Sequence, residues 1–293
     1  MKKKFSISQV FIVVPLFLLT LTMIIPLLNI LAKSLSGPLV SSSMGGLEII
    51  PKEFNLINYK IIFSHPVLIP ALKNSIVITV VGTILNMLLT TSAAYVLTRP
   101  NLAFKKPIMV FLIIMMLFDP GLVPEYLVIK DIGLMGSQWS VILVTAVNVY
   151  YLIIMMRFFE SVPGEMYEAA TIDGAGHMSM LFNIALPLAK PGVAAITMFY
   201  AVVRWNEYFK AGIYLTQAKK TTLQVILRQF VVLNDTATLI GAQNLLDYNE
   251  MAKVDVMALK NATIVVAIIP ILLIYPIVLK YYTKDILAGG VKE

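Results

Sequence analysis

Glu165, Glu168 and Asp173 are the carboxylates whose neighbours form a pattern. They lie in residues 161–187, SVPGEMYEAATIDGAGHMSMLFNIALP, a polar interruption between two apolar runs that still reads as helical. Pro163 and Gly164 open a helix. Glu165 and Glu168 fall in its first turns, where the positive end of the helix dipole favours a negative charge. Gly174 and Gly176 end it, because glycine takes the left-handed conformation of a helix stop at no steric cost. A second short helix over residues 177–185 runs into Pro187, which suits the first turn of the next element. Met166, Ala169, Ala170 and Asp173 recur at three- and four-residue spacing and share a face. Two alanines at its centre let another protein's surface approach the backbone. The chemistry implied is docking; the competing reading is an ordinary amphipathic surface helix.

The elements that must position this stretch are apolar. The chain of 293 residues is 59% hydrophobic and 13% charged, with a mean hydropathy of +0.85. Such a composition reads as a membrane protein, and at about 20 residues per crossing the length accommodates six spans. The first is an uncleaved run over residues 10–31 behind Lys2, Lys3 and Lys4, with kinks expected at Pro15 and Pro26. The others are residues 73–98, 108–124, 139–159, 187–205 and 261–281. Arg99, Lys105 and Lys106 in the short loop after the second span place that loop inside, with both termini. The expected fold class is all-α, a polytopic bundle of six transmembrane helices with a cytoplasmic helix inserted after the fourth. Expected divisions are residues 1–72 for the first span and an external loop, 73–281 for the core, and 282–293 for a cytoplasmic tail. Within residues 206–260, Leu223 to Leu233 reads as an amphipathic helix, re-entrant or interfacial, with Arg228 on its polar side.

Other chemistry is excluded. No G-x-x-x-x-G-K-[ST] phosphate loop, G-x-S-x-G elbow or H-E-x-x-H pair occurs, so no residue is expected to be catalytic. Cysteine is absent and the two histidines, His65 and His177, lie far apart, so no metal site is expected. The net charge of +7 suits loops beside acidic lipid headgroups. No basic run is interleaved with aromatics, which argues against nucleic acid.

Glu168-Ala169-Ala170, Gly174, Ile184, Leu186 and Pro187 fit E-A-A-x3-G-x9-I-x-L-P. This resembles the cytoplasmic loop of the permease subunits of bacterial ABC importers. Pro51, Phe54, Leu56, Asn58 and Tyr59 resemble a stretch that precedes the second span in the carbohydrate importers. Phe118, Gly121, Leu122, Pro124, Tyr126, Leu127, Leu134 and Trp139 resemble the subgroup that serves complex oligosaccharides. That subgroup usually has Gly-Gly where this chain has Pro120-Gly121. The resemblance implies the type I importer fold in the bacterial inner membrane, with Glu165, Glu168, Ala169, Ala170, Asp173, Gly174, Ile184, Leu186 and Pro187 coupling to an ATPase. It implies a second permease subunit, two ATPase subunits that bind the ATP and magnesium, an extracytoplasmic solute-binding protein and an oligosaccharide substrate. No cofactor is implied for this chain itself. The rival readings are an importer permease for another small solute and an ion-coupled secondary transporter.

Sugars are gripped by aromatic faces and hydrogen-bonding side chains. Tyr200, Arg204, Trp205 and Asn206, with Glu207 and Tyr208, cluster where the fifth span meets the outside, and Asn148, Tyr150 and Tyr151 sit within the fourth. Arg204 has three readings: snorkelling to headgroups, pairing with Glu207 three residues on, and bidentate grip on an anionic group of the cargo. Tyr150 and Tyr151 also fit plain packing. Lys210, Lys219, Lys220 and Arg228 make the adjacent external segment basic, which favours an acidic oligosaccharide such as a uronate fragment. Asp119 reads either as a local cap at the interface or as a residue of the transport path.

Overall fold

The structure is a computed structural model that describes residues 7–233 and 255–289; among these there is no strand. The lysines at positions 2–4, residues 234–254 of the long polar segment and the tail end from 290 lie outside the described residues. The principal helices are α1 (Ile7–Ser34), α2 (Ile57–Ser64), α3 (Leu68–Thr98), α4 (Lys105–Leu117), α5 (Leu122–Asp131), α6 (Gln138–Val144) and α7 (Val149–Glu160). There follow α8 (Gly164–Ile172), α9 (His177–Leu188), α10 (Lys190–Trp205), α11 (Phe209–Tyr214), α12 (Leu223–Val232) and α13 (Val256–Gly289).

Three of these are long and apolar enough to cross a membrane alone: residues Phe11–Ser34 of α1, all of α3, and Val256–Pro276 of α13. Three bent pairs pass the same test together, giving up to six spans: α4 with α5 at 112°, α6 with α7 at 55°, and α9 with α10 at 88°. The third span breaks where Pro120-Gly121 was expected to interrupt it, and the fourth and fifth, expected as single runs, are broken too, each for a local or long-range reason. Between α4 and α5, Gly121 has φ +79° and the exposed Asp119 accepts from the Gly121 N–H at 2.9 Å; Pro120 cannot continue a helix ladder. Between α6 and α7, Asn148 caps the second half by accepting from the Tyr151 N–H at 3.2 Å. The helix of the fifth span starts at Lys190 rather than Pro187, with Pro191 in its first turn.

The contacts divide the chain into two units. One holds α1, α2 and residues 226–270 as far as described. Asn29 of α1 donates to the carbonyls of Gly45 at 2.8 Å and Glu48 at 2.6 Å. Asn58 donates to the Ser34 carbonyl at 3.1 Å, and the Tyr59 hydroxyl lies 2.7 Å from Ser34 Oγ. The Asn-Tyr pair of the sequence stretch thus ties the following segment to the end of α1, whereas Phe54 is exposed.

The other unit runs from residue 70 to 225 and resumes at 271. It contains two apolar clusters. One gathers Tyr95 and Leu97 of α3, Met155 and Phe159 of α7, and Ile196 and Tyr200 of α10. The second gathers Ile78 of α3, Ile129 of α5, Val141 and Ile142 of α6, and Tyr214 of α11.

Candidate functional site

The stretch singled out in the sequence forms a helix, a stop and a second helix. α8 begins after Pro163 and ends at Ile172. Gly174 has φ +78° and closes a Schellman turn. The Ala175 N–H bonds to the Ala170 carbonyl at 2.9 Å and the Gly174 N–H to the Thr171 carbonyl at 3.1 Å. Gly176 departs from expectation. Its φ is −73°, and it serves as the N-cap of α9. α9 carries a wider π turn over Leu181–Ala185 before Leu186, Pro187 and Leu188.

The shared face read from spacing is divided. Ala170 is turned inward at 9% exposure and joins the apolar cluster of α3 and α7. Met166, Ala169 and Asp173 face outward, as do Glu165, Glu168 and Gly174. The reason is that α8 needs an anchor: Ala170 and Tyr167 are its contribution to the core, with Ala175 just past its end and Ile184 and Leu186 following on α9. One side of the motif is therefore held by packing, and the other, with its carboxylates, is open. Glu168 also lines a cavity of about 730 Å³ with Glu160, Arg99, Tyr167 and His177. Sequence reasoning had used Arg99 only to orient a loop and had given Tyr167 no role; their juxtaposition arises between residues almost seventy positions apart and has no local signal.

The second group is built differently. Arg204, at the end of α10, is 4% exposed and points into the protein. Its Nε donates to Asn86 Oδ1 at 3.0 Å, and its terminal nitrogens donate to the carbonyls of Val141 and Ile142, each at 2.7 Å, and Thr145 at 3.0 Å. Asn86 in turn donates to the carbonyls of Thr145 at 2.6 Å and Ala146 at 2.9 Å. These are carbonyls that the break between α6 and α7 leaves without helix partners. Gly82 makes room, since a Cβ there would lie 2.9 Å from Arg204 Nε. The Tyr200 hydroxyl accepts from the Asn148 N–H at 3.0 Å and pairs with Thr90 Oγ1 at 2.8 Å. Trp205 is buried, Asn206 exposed, and Tyr150 exposed beside Tyr151 at 6.0 Å between ring centroids. Tyr151 is edge-on to Tyr200 at 4.9 Å.

Of the bases counted as an external positive field, Lys210 pairs with Glu125 at 2.7 Å and Lys220 donates to the Gly136 carbonyl at 2.7 Å. Tyr214 also donates to Glu125. Burial, and then the bond to that carboxylate, hold the Tyr214 phenol well above its ordinary pKa, so it stays a donor. No group of three or more metal-ligating side chains occurs among the described residues.

Residues 101–287 match the profile of the family described as binding-protein-dependent transport system inner membrane component. A polygalacturonan/rhamnogalacturonan transport system permease protein, YtcP, of Bacillus subtilis (strain 168) is 38% identical over 282 residues, covering 94% of this chain and 95% of its own. Protein LplC of the same organism is 38% identical over 269 residues, covering 92% and 89%. Among solved structures, a chain of a bacterial ABC transporter involved in the import of the acidic polysaccharide alginate superposes with a TM-score of 0.85. It is 28% identical, with 96% of this chain and 100% of that one covered.

Proposed function

The chain belongs to the binding-protein-dependent transport system inner membrane components, and from that premise we propose that it is the permease of an ABC importer for acidic oligosaccharides, fragments of pectin or alginate type. The observation that carries the reading is the motif of α8 and α9, anchored by Ala170 along one side and open along the side that bears Glu165, Glu168 and Asp173. A cleft on a separate ATPase fits that open side. Support for the cargo comes from a relative of nearly full coverage that transports polygalacturonan/rhamnogalacturonan and a solved neighbour that imports alginate.

In this reading a solute-binding protein delivers the oligosaccharide to a path formed with a second permease subunit. Two ATPase subunits hold the ATP and magnesium, and this chain holds no cofactor. Closure of the ATPases pushes on Glu165, Glu168, Ala169, Asp173 and Gly174, while Ala170, Ile184, Leu186 and Pro187 keep the pushed piece rigid. The N- and C-termini are cytoplasmic. The exposed Asn148, Tyr150 and Asn206 border the path, the buried Tyr200 and Trp205 back it, and Arg204 shapes it by fixing the break between α6 and α7.

Reconstitution of the complete complex in proteoliposomes tests both parts. Oligogalacturonides should be taken up with ATP hydrolysis and neutral maltooligosaccharides should not; the reverse preference would remove the acidic cargo. Uptake that persists without the ATPase subunits would remove the coupling. Within that assay, Gly174→Val should assemble but deliver about ten-fold less cargo per ATP, since a β-branched residue is strained at positive φ. Gly174→Asn, which tolerates that conformation, should retain most of the wild-type ratio.

A further inference from the structure

The C-terminal end of α3 touches both limbs of the motif at once. The Arg99 guanidinium rests against two rings, its Cζ 4.4 Å from the centroid of Tyr95 on α3 and 4.0 Å from that of Tyr167 on α8, the rings themselves being 6.5 Å apart and tilted by 56°. Its Nε donates to the Tyr95 carbonyl at 3.3 Å and a terminal nitrogen to Thr98 Oγ1 at 3.4 Å, which fixes its plane. Tyr95 is 3% exposed. Its hydroxyl lies 3.3 Å from His177 Nδ1 and donates to the Met180 sulfur at 3.5 Å, and its ring is edge-on to His177 at 6.2 Å. Tyr167 belongs to α8; His177 and Met180 belong to α9. Among the described residues no carboxylate lies within ion-pair distance of Arg99.

We infer that Arg99, in contact with the rings of both Tyr95 and Tyr167, is a positioning residue that carries movement of the motif into α3. The chain itself joins the motif only to α7, through residues 161–163, and to α10, through an 88° bend. α3 is remote in sequence, so any push that reaches it passes through side chains. A guanidinium suits the task better than an ammonium because it is planar and stacks on rings over its whole face. A charge kept merely to mark the inner boundary of a span would work as well as lysine; a stacked strut would not. The inference rests on the proposed docking of the motif on an ATPase.

The test uses the complete complex in proteoliposomes and reads cargo delivered per ATP hydrolysed. Arg99→Lys and Tyr167→Leu should each lower that ratio about five-fold, and Tyr167→Phe, which keeps the ring, should leave it near wild type. Arg99→Lys keeps charge and length, so it separates stacking from folding. As a second readout, spin labels at Ser92 and Thr171, both exposed in this cysteine-free chain, should hold one distance through the ATP cycle and spread when Arg99 is lysine. An unchanged ratio and an unchanged distance distribution in Arg99→Lys would overturn the strut. If the ATPase also cross-links to a cysteine at Glu168, the docking reading stands without it. If no ATPase contact with position 168 forms in the wild-type complex, both fall together.

Discussion

Arg204→Ala is expected to leave little folded protein in the membrane. The side chain makes four hydrogen bonds, to Asn86 and to three carbonyls at the end of α6, and it is 4% exposed. Truncation strips those carbonyls of their donors where water does not reach. Each buried acceptor left without a partner costs about 1–3 kcal/mol, against a total stability of about 5–15 kcal/mol for a typical domain. Asn86 still covers Thr145 and Ala146 and the Thr145 hydroxyl reaches the Val141 carbonyl at 3.5 Å, but Ile142 loses its side-chain donor. Arg204→Lys should be rescued poorly, since a single ammonium cannot match the fixed fork that reaches acceptors on two sides. The measurement is monodisperse subunit recovered in detergent, with its unfolding midpoint. Recovery at wild-type level, with a midpoint within about 3 °C of wild type, would refute the account of Arg204 as the pin of this break.

Gly192→Ala should be nearly as damaging, and for a different reason. Gly192 lies in the first turn of α10, where its backbone needs no special conformation. What it supplies is space. A Cβ there would stand 2.2 Å from Phe158 Cγ and 2.3 Å from its Cδ2. Cγ sits at the root of the ring, so the clash cannot be relieved by swinging a flexible tip; either the whole Phe158 ring leaves its rotamer or α7 and α10 separate. Small residues are what let helices approach closely in lipid, and overpacking of this kind costs about 1–3 kcal/mol or more. The distinguishing experiment is a pair. Gly192→Ala alone should lose complex assembly and uptake, and Gly192→Ala with Phe158→Ala should recover a large part of both. A single variant indistinguishable from wild type would show that the two helices are not held at this distance.

What could be read from the sequence followed the range of the interactions involved. The stop at Gly174 was legible because a left-handed residue after a helix is a local requirement, and so was the interruption at Pro120-Gly121. The break between α6 and α7 was not. Residues 145–148 read Thr-Ala-Val-Asn, with neither proline nor glycine, and the carbonyls of Thr145 and Ala146 are satisfied by Asn86 and Arg204, about sixty residues away on either side. The same distance explains why Arg204 was read as a boundary or cargo residue. The inward turn of Ala170 was invisible for a related cause. Ala169 and Ala170 are identical in type, and only the packing of α8 on α3 and α7 tells them apart.

α3 contributes Ile78 to one apolar cluster and Tyr95 and Leu97 to the other, while α6 and α7 divide between those clusters on either side of their break. The long helix is thus an axle running through two collars, and the four residues 145–148 are the gap between them. Twisting one collar against the other must wring the axle along its length or loosen a grip upon it, and a torque applied at the collar of Tyr95 and Leu97 reaches that of Ile78 along the shaft.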